Sequence, residues 1–262
     1  MPDHVINSAD APYFPQGAAV VIGGSGGIGQ AICERLADHG TDVVLTYRSN
    51  REAGEQTAEI VRERGRAAHC VSVDLADAAT VDNLFDEAVE QFGAVHTVVF
   101  AIGTDIPMVY ASAVDPEWWH RTIDADLTGF YNVVKASIPH LRKQGGSIVA
   151  ISSAGIVRHP PKDVLSTVPK AGIEALMRAI AREEGRFGIR ANSVQLGVVE
   201  AGHFHRVEEE LGPDFIDAMK RNTAIGRLAT AREAADATVF LASSAASYIT
   251  GHSLAVDGGY SV

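Results

Sequence analysis

The stretch VVIGGSGGIGQAICERLA, residues 20–37, most constrains what this chain can fold into. An apolar, β-branched run ends in a glycine-rich turn, and the turn opens into a segment with Ile28, Ile32 and Leu36 at four-residue spacing. That is a buried strand, a tight turn and an amphipathic helix. Gly23, Gly27 and Gly29 follow a G-x-x-x-G-x-G pattern. Such a turn needs residues without a Cβ, and close approach of a pyrophosphate needs another. The helix start then offers unpaired N–H groups and a positive dipole end to phosphate. With the strand before it and the helix after it, the turn predicts a bound dinucleotide. Gly23, Ser25, Gly27, Ile28 and Gly29 are its candidate cofactor-binding residues.

The same unit recurs along the chain. Further apolar runs start at Asp42, Ala67, His96, Gly146, Arg190 and Ser253, with helical stretches between them, several ending in glycine. Near-continuous apolar strands imply burial on both faces, hence a parallel sheet covered by helices. No composition break, repeat or linker divides the series. The expectation is α/β: a single-domain, Rossmann-type doubly wound parallel sheet of about seven strands with helices on both faces. It spans residues 16–262, after a loose leader over 1–15.

Composition excludes several functions. Hydrophobic residues make up 46% of the 262 residues, enough for a large core. A net charge of −11 argues against a general nucleic-acid binder, because phosphates are gripped by Lys and Arg. No apolar run approaches the ~20 residues of a membrane span. Cys33 and Cys70 form neither a disulfide framework nor a metal site and read as core thiols of a reducing compartment. The expectation is a cytoplasmic protein without metal, membrane or nucleic-acid partner, acting on a small molecule.

The chain resembles the short-chain dehydrogenase/reductase family over roughly residues 15–262. The resemblance rests on the glycine spacing, on VSVDLAD around Asp74, on SIVAISS ending at Ser153, and on SYITGHSLAVDGG near the C-terminus. It implies a nicotinamide cofactor, with Asp74 and Leu75 at the adenine and Ala101 and Gly103 along the cleft. Val199 would offer its backbone to the carboxamide. After the second strand the chain reads LTYRSNRE, without the acidic residue that holds a free ribose. Arg48, Ser49 and Asn50 there suit a 2′-phosphate, and Arg51 could share the role. The cofactor expectation is NADP(H) preferred, NAD(H) possible.

The family's catalytic positions carry over residue by residue. Its carbonyl-polarising Ser falls on Ser153 and its Lys on Lys170. Its proton-donating Tyr, thirteen residues after the Ser, falls on Ser166, and its Asn falls on Asp126, which could pair with Lys170. The usual N-N-A-G reads Phe100, Ala101, Ile102, Gly103, and the usual P-G reads Leu196, Gly197. A Thr that clamps the carboxamide is Ala201. A Ser hydroxyl is a far weaker acid than a phenol of pKa ≈ 10, so the proton must come from elsewhere. Candidates for a displaced acid are His159, Asp163 and Tyr110, with His203 and His205 in a flanking loop.

Three functions follow as alternatives. One is an NADP(H)-dependent reductase of a small, mainly apolar carbonyl or imine. Another is an enoyl reductase using Ser and Lys, although the positions of a displaced Tyr in such enzymes are Gly155 or Asp163 here. The third is a non-redox or inactive NADP(H)-binding scaffold. Residues 198–228, with Phe204, Val207, Leu211, Phe215, Ile216 and Met219, predict an amphipathic lid over the cofactor. The resemblance implies a homotetramer, or a dimer, built from the helices around 115–142 and 164–187 and from the last strand.

Overall fold

In a computed structural model, residues 13–202 and 204–262 are described, apart from the side chains at 205–207, 210 and 211. Seven parallel strands form one sheet in the order β3-β2-β1-β4-β5-β6-β7. They are β1 (Ala18–Ile22), β2 (Asp42–Tyr47), β3 (Ala68–Ser72), β4 (Val95–Phe100), β5 (Gly146–Ser153), β6 (Ile189–Leu196) and β7 (Ser253–Val256). The family fold expected from the sequence is the fold observed.

Alternate residues of each central strand point to opposite faces, as strand geometry requires. Val20, Ile22, Val98, Phe100 and Ile148 meet Phe85 of α3 (Ala78–Phe92), Phe130 of α5 (Gly129–Leu141) and Ile173 of α6 (Val164–Glu184). Their neighbours Ala19, Val21, Val99 and Val149 meet Ile32 of α1 (Gly27–Asp38), Val61 of α2 (Arg51–Glu63) and Val239 of α8 (Ala231–Ala242). Two apolar layers therefore sandwich one sheet and bury its central strands on both faces, while the edge strands β3 and β7 are only partly covered.

The chain leaves β1 toward β2 and β3, then returns to place β4 on the other side of β1. At that reversal the loops after β1 and β4 diverge and open a crevice at the carboxyl ends of the strands. α4 (Pro116–Thr122) runs through a π-helical turn, Ile123–Thr128, into α5. The sequence read this stretch as one helix; the wider turn sets Asp126 within it.

Two expected segments take definite form. Tyr13 and Phe14, assigned to a loose leader, are packed: Phe14 is 7% exposed and stacks on His96, while Tyr13 stacks on His39. Apolar rings at the end of a polar leader have a core to fill. The segment expected as a lid holds two helical pieces within α7 (Phe204–Arg221), broken at Gly212 and Pro213. Phe204, Ile216 and Leu228 form their own small cluster, and Val199, Ala201 and Gly202 at the start of the segment line the crevice. The side chains of Val207 and Leu211 lie outside the described residues.

Candidate active site

The crevice is a cleft of about 790 Å³, within the range of ligand and cofactor sites. Its floor is the glycine turn. Gly23 has φ +82°, a conformation an L side chain resists, and its N–H donates to Thr46 Oγ1 at 3.0 Å. A Cβ on Gly29 would run into the carbonyl of Gly23, so α1 starts flush against the strand end. A Cβ on Gly27 would meet the backbone N of Gly202 at 2.8 Å, across the turn from the segment after β6.

All the expected cofactor-binding residues line this cleft: Gly23, Ser25, Gly27, Ile28 and Gly29 on the floor; Arg48, Ser49 and Asn50 beyond β2; Asp74 and Leu75 beyond β3; Ala101 and Gly103 beyond β4; Lys170 and Val199 at the far end. Asn50 is partly committed, since its Oδ1 caps α2 by accepting from Ala53 N at 3.0 Å. Arg48 is exposed at the cleft wall. Arg51 does not line the cleft and lies 4.0 Å from Glu55. Asp74 Oδ1 accepts from Ala76 N at 3.0 Å, which sets the carboxylate against its own turn.

Ser153, Ser166 and Lys170 converge at the other end of the cleft. Ser153 ends β5, and its Oγ accepts from Gly155 N at 3.0 Å, which leaves its hydroxyl proton free to donate. Lys170 Nζ donates to Ser166 Oγ at 3.2 Å, one turn back along α6. Pro169 stands inside that helix and removes one backbone hydrogen bond beside Lys170. Asp126 is 2% exposed, outside the cleft lining, and accepts from Thr104 Oγ1 at 2.5 Å. The expected Asp126–Lys170 pair does not form: Thr104, which does line the cleft, holds the carboxylate instead. Thr46 and Thr104 carry no motif of their own, and only the strand ends that bring them inward reveal them.

None of the three candidate acids lines the cleft. Tyr110 is 61% exposed, with Lys162 Nζ 5.2 Å from its ring centre. His159 is exposed and its Nδ1 lies 3.3 Å from Thr167 Oγ1. Asp163 is half-buried at the N-cap of α6, yet its side chain makes no capping hydrogen bond. Burial pushes its carboxyl up to about 6, against the opposing pull of Lys170 and then His159. The loop between β5 and α6 is clasped by the C-terminus: Arg158 Nη1 donates to Tyr260 O at 2.9 Å and Tyr260 OH donates to Arg158 O at 3.0 Å. His203 and the side chain of His205 lie outside the described residues. Among the described residues no cluster could hold a metal, and no helix is long and apolar enough to cross a membrane.

Comparison with known proteins places this geometry. A family model described as enoyl-(acyl carrier protein) reductase matches residues 23–261. The chain is 34% identical to 3beta-hydroxysteroid dehydrogenase 1 of Eggerthella lenta, over 92% of each chain. It is 32% identical to the 3-oxoacyl-[acyl-carrier-protein] reductase of Chlamydia muridarum, over 92% of this chain and 96% of the relative. A solved short-chain dehydrogenase/reductase from Serratia marcescens superposes with a TM-score of 0.86 at 30% identity, covering 96% of this chain and all of that one. Carveol dehydrogenase from Mycobacterium avium, solved in complex with NAD, gives a TM-score of 0.87 at 28% identity, covering 95% of this chain and 99% of that one. The chain belongs to the short-chain dehydrogenase/reductase family, a family of oxidoreductases.

Proposed function

We propose that this chain is an NADPH-dependent reductase of a small, mainly apolar carbonyl or imine, with Ser166 at the position of the usual Tyr and Asp163 as its source of protons. The observation that carries this reading is the hydrogen bond from Lys170 to Ser166, at 3.2 Å, beside Ser153 in the cleft that starts at the glycine turn. The relatives' names point the same way, toward hydroxyl and oxo groups. A reduced nicotinamide, when bound, supplies the hydride, and the protein supplies position and electrostatics.

Ser153 donates its free proton to the substrate oxygen or nitrogen and so stabilises the charge that develops there. Lys170 holds the nicotinamide ribose and keeps Ser166 oriented. Ser166 is too weak an acid to act alone, but a hydroxyl both donates and accepts, so it relays a proton. Asp163 stands three residues before Ser166 at the same helix end, and its carboxyl is raised to about 6. That is the range a general acid needs near neutral pH. Arg48, exposed at the wall by β2, favours a 2′-phosphate and hence NADP(H) over NAD(H). Ile102, Leu196 and Val199 make the lining near the reacting end apolar. Exposed Trp119, Tyr131 and Val168, on α4, α5 and α6, support a homotetramer with those helices at its interfaces.

The description of the matching family model favours a second reading, reduction of a conjugated C=C. In that case Ser153 steadies the enolate oxygen and the α-carbon takes a proton from solvent.

NADPH oxidation against a panel of ketones, cyclic imines and conjugated enones separates the two. Turnover with ketones or imines is expected, and Lys170→Ala should lower kcat at least ~100-fold, Ser166→Ala by about tenfold because water can fill the relay. Turnover with enones alone would establish the second reading. Inactivity with all three, together with absent NADPH binding, would leave a non-redox scaffold.

A further inference from the structure

The proposed chemistry leaves the buried carboxylate of Glu174 without a task. Glu174 is 4% exposed and stands on α6 one turn beyond Lys170 and two beyond Ser166. Its Oε1 accepts from Ser152 Oγ at 2.6 Å and from Gln195 Nε2 at 2.9 Å, and its Oε2 accepts from Gln195 Nε2 at 3.2 Å. Arg178 Nη1, on a side chain 58% exposed, lies 3.9 Å from Oε2. Ser152 and Gln195 are register partners on β5 and β6. Each immediately precedes a residue that lines the cleft, Ser153 and Leu196.

A carboxylate is an expensive way to pack a helix on a sheet. A Leu at 174 would extend the apolar stripe of Ile173 and Met177, and apolar replacement of buried ionic groups is often neutral or stabilising. Apolar contact, however, tolerates sliding and rotation. Hydrogen bonds to a charged acceptor fix both distance and direction. Here they tie one helix to the ends of two adjacent strands, and the tied stripe is the one that carries Ser166 and Lys170.

We infer that Glu174 is a positioning residue: with Ser152 and Gln195 it pins α6 to the ends of β5 and β6 and so sets Lys170 relative to Ser153. The inference rests on the reading of Lys170 as a cofactor-facing group. A shift of about 1 Å at such a group costs on the order of 100-fold in rate.

The test compares the parent with Glu174→Gln and with the triple variant Ser152→Ala/Glu174→Leu/Gln195→Leu, which leaves no orphaned polar partner. Melting temperature, affinity for NADPH, affinity for 2′,5′-ADP (the same nucleotide half without nicotinamide) and kcat are measured on each. The triple variant should melt at or above the parent and bind 2′,5′-ADP within about twofold. It should lose at least about fivefold in NADPH affinity and tenfold in kcat, with Glu174→Gln between it and the parent. A folded triple variant with parental NADPH affinity and kcat overturns the inference. Loss of both nucleotides in proportion to a falling melting temperature overturns it too, since that marks a merely structural role. Should the triple variant not fold, Glu174→Gln decides: unchanged NADPH affinity refutes the inference, and a selective loss of NADPH supports it. A parent that binds neither nucleotide removes the functional reading, and this inference with it.

Discussion

The proton source is the part of the proposed reaction that pH can read directly. Asp163 must be protonated to give up a proton, and burial raises its carboxyl from 3.8 to about 6. About half of it is therefore acid at pH 6, about a tenth at pH 7 and about a hundredth at pH 8. If its proton limits turnover, kcat for ketone reduction is flat below pH 5.5 and falls about tenfold per unit above pH 6.5. Lys170 and His159 both hold the value down, in that order. Lys170→Ala should therefore move the limb to higher pH in whatever activity survives, and His159→Gln should move it less. Asp163→Asn should abolish the limb and lower kcat at pH 6 by about 100-fold, within the usual span for a general acid. The assay is steady-state NADPH oxidation at saturating substrate from pH 5 to 8.5. A parental profile flat over that range, or a limb that persists in Asp163→Asn, would refute the assignment and return the role to solvent.

Two further outcomes follow from other residues. Arg48→Ala should weaken NADPH binding by roughly 10- to 100-fold, the worth of a charge-assisted hydrogen bond of about 1.5–3 kcal/mol, and leave NADH unchanged; equal effects on the two in a fluorescence titration would refute a 2′-phosphate contact. His96 is 1% exposed between Thr41 and Thr97, and burial pushes its imidazole down to about 4. The fold prefers the neutral ring, so the stability it contributes is present above pH 6.5 and lost as pH falls toward 4. That loss is ~3 kcal/mol at most, read as the difference between parent and His96→Gln in urea unfolding. A pH dependence shared by both proteins would place the effect elsewhere.

The local code carried the fold because each signal acts over short distance. The glycine pattern from Gly23 to Gly29 needs only a strand before it and a helix after it. Apolar runs without alternation announce burial on both faces, and the strands begin within a residue or so of where those runs do. The cofactor wall was legible for the same reason: apart from Lys170 on α6, the residues named for it follow the carboxyl ends of strands, and in a parallel sheet those ends share one edge. The catalytic end was only half legible. Spacing along one helix gave Ser166 and Lys170, which meet because an α-helix brings i and i+4 together.

Partnerships across elements were not in the spacing. Asp126 was expected at Lys170 and is held by Thr104, since the π-helical turn before α5 sets the carboxylate toward the loop after β4. Tyr110, His159 and Asp163 were equal as loop residues in the sequence. Packing separated them, exposing the first two and half-burying the third beside the start of α6. Glu174 belongs to no motif in the sequence, and its role depends on β5 and β6 bringing Ser152 and Gln195 beneath it. Sequence by itself determined the sheet, the glycine floor and the Ser–Lys spacing, because periodicity and turn chemistry are local. Only the tertiary structure decided which carboxylate is desolvated and which is paired, because burial and hydrogen-bond partners belong to elements far apart in the chain.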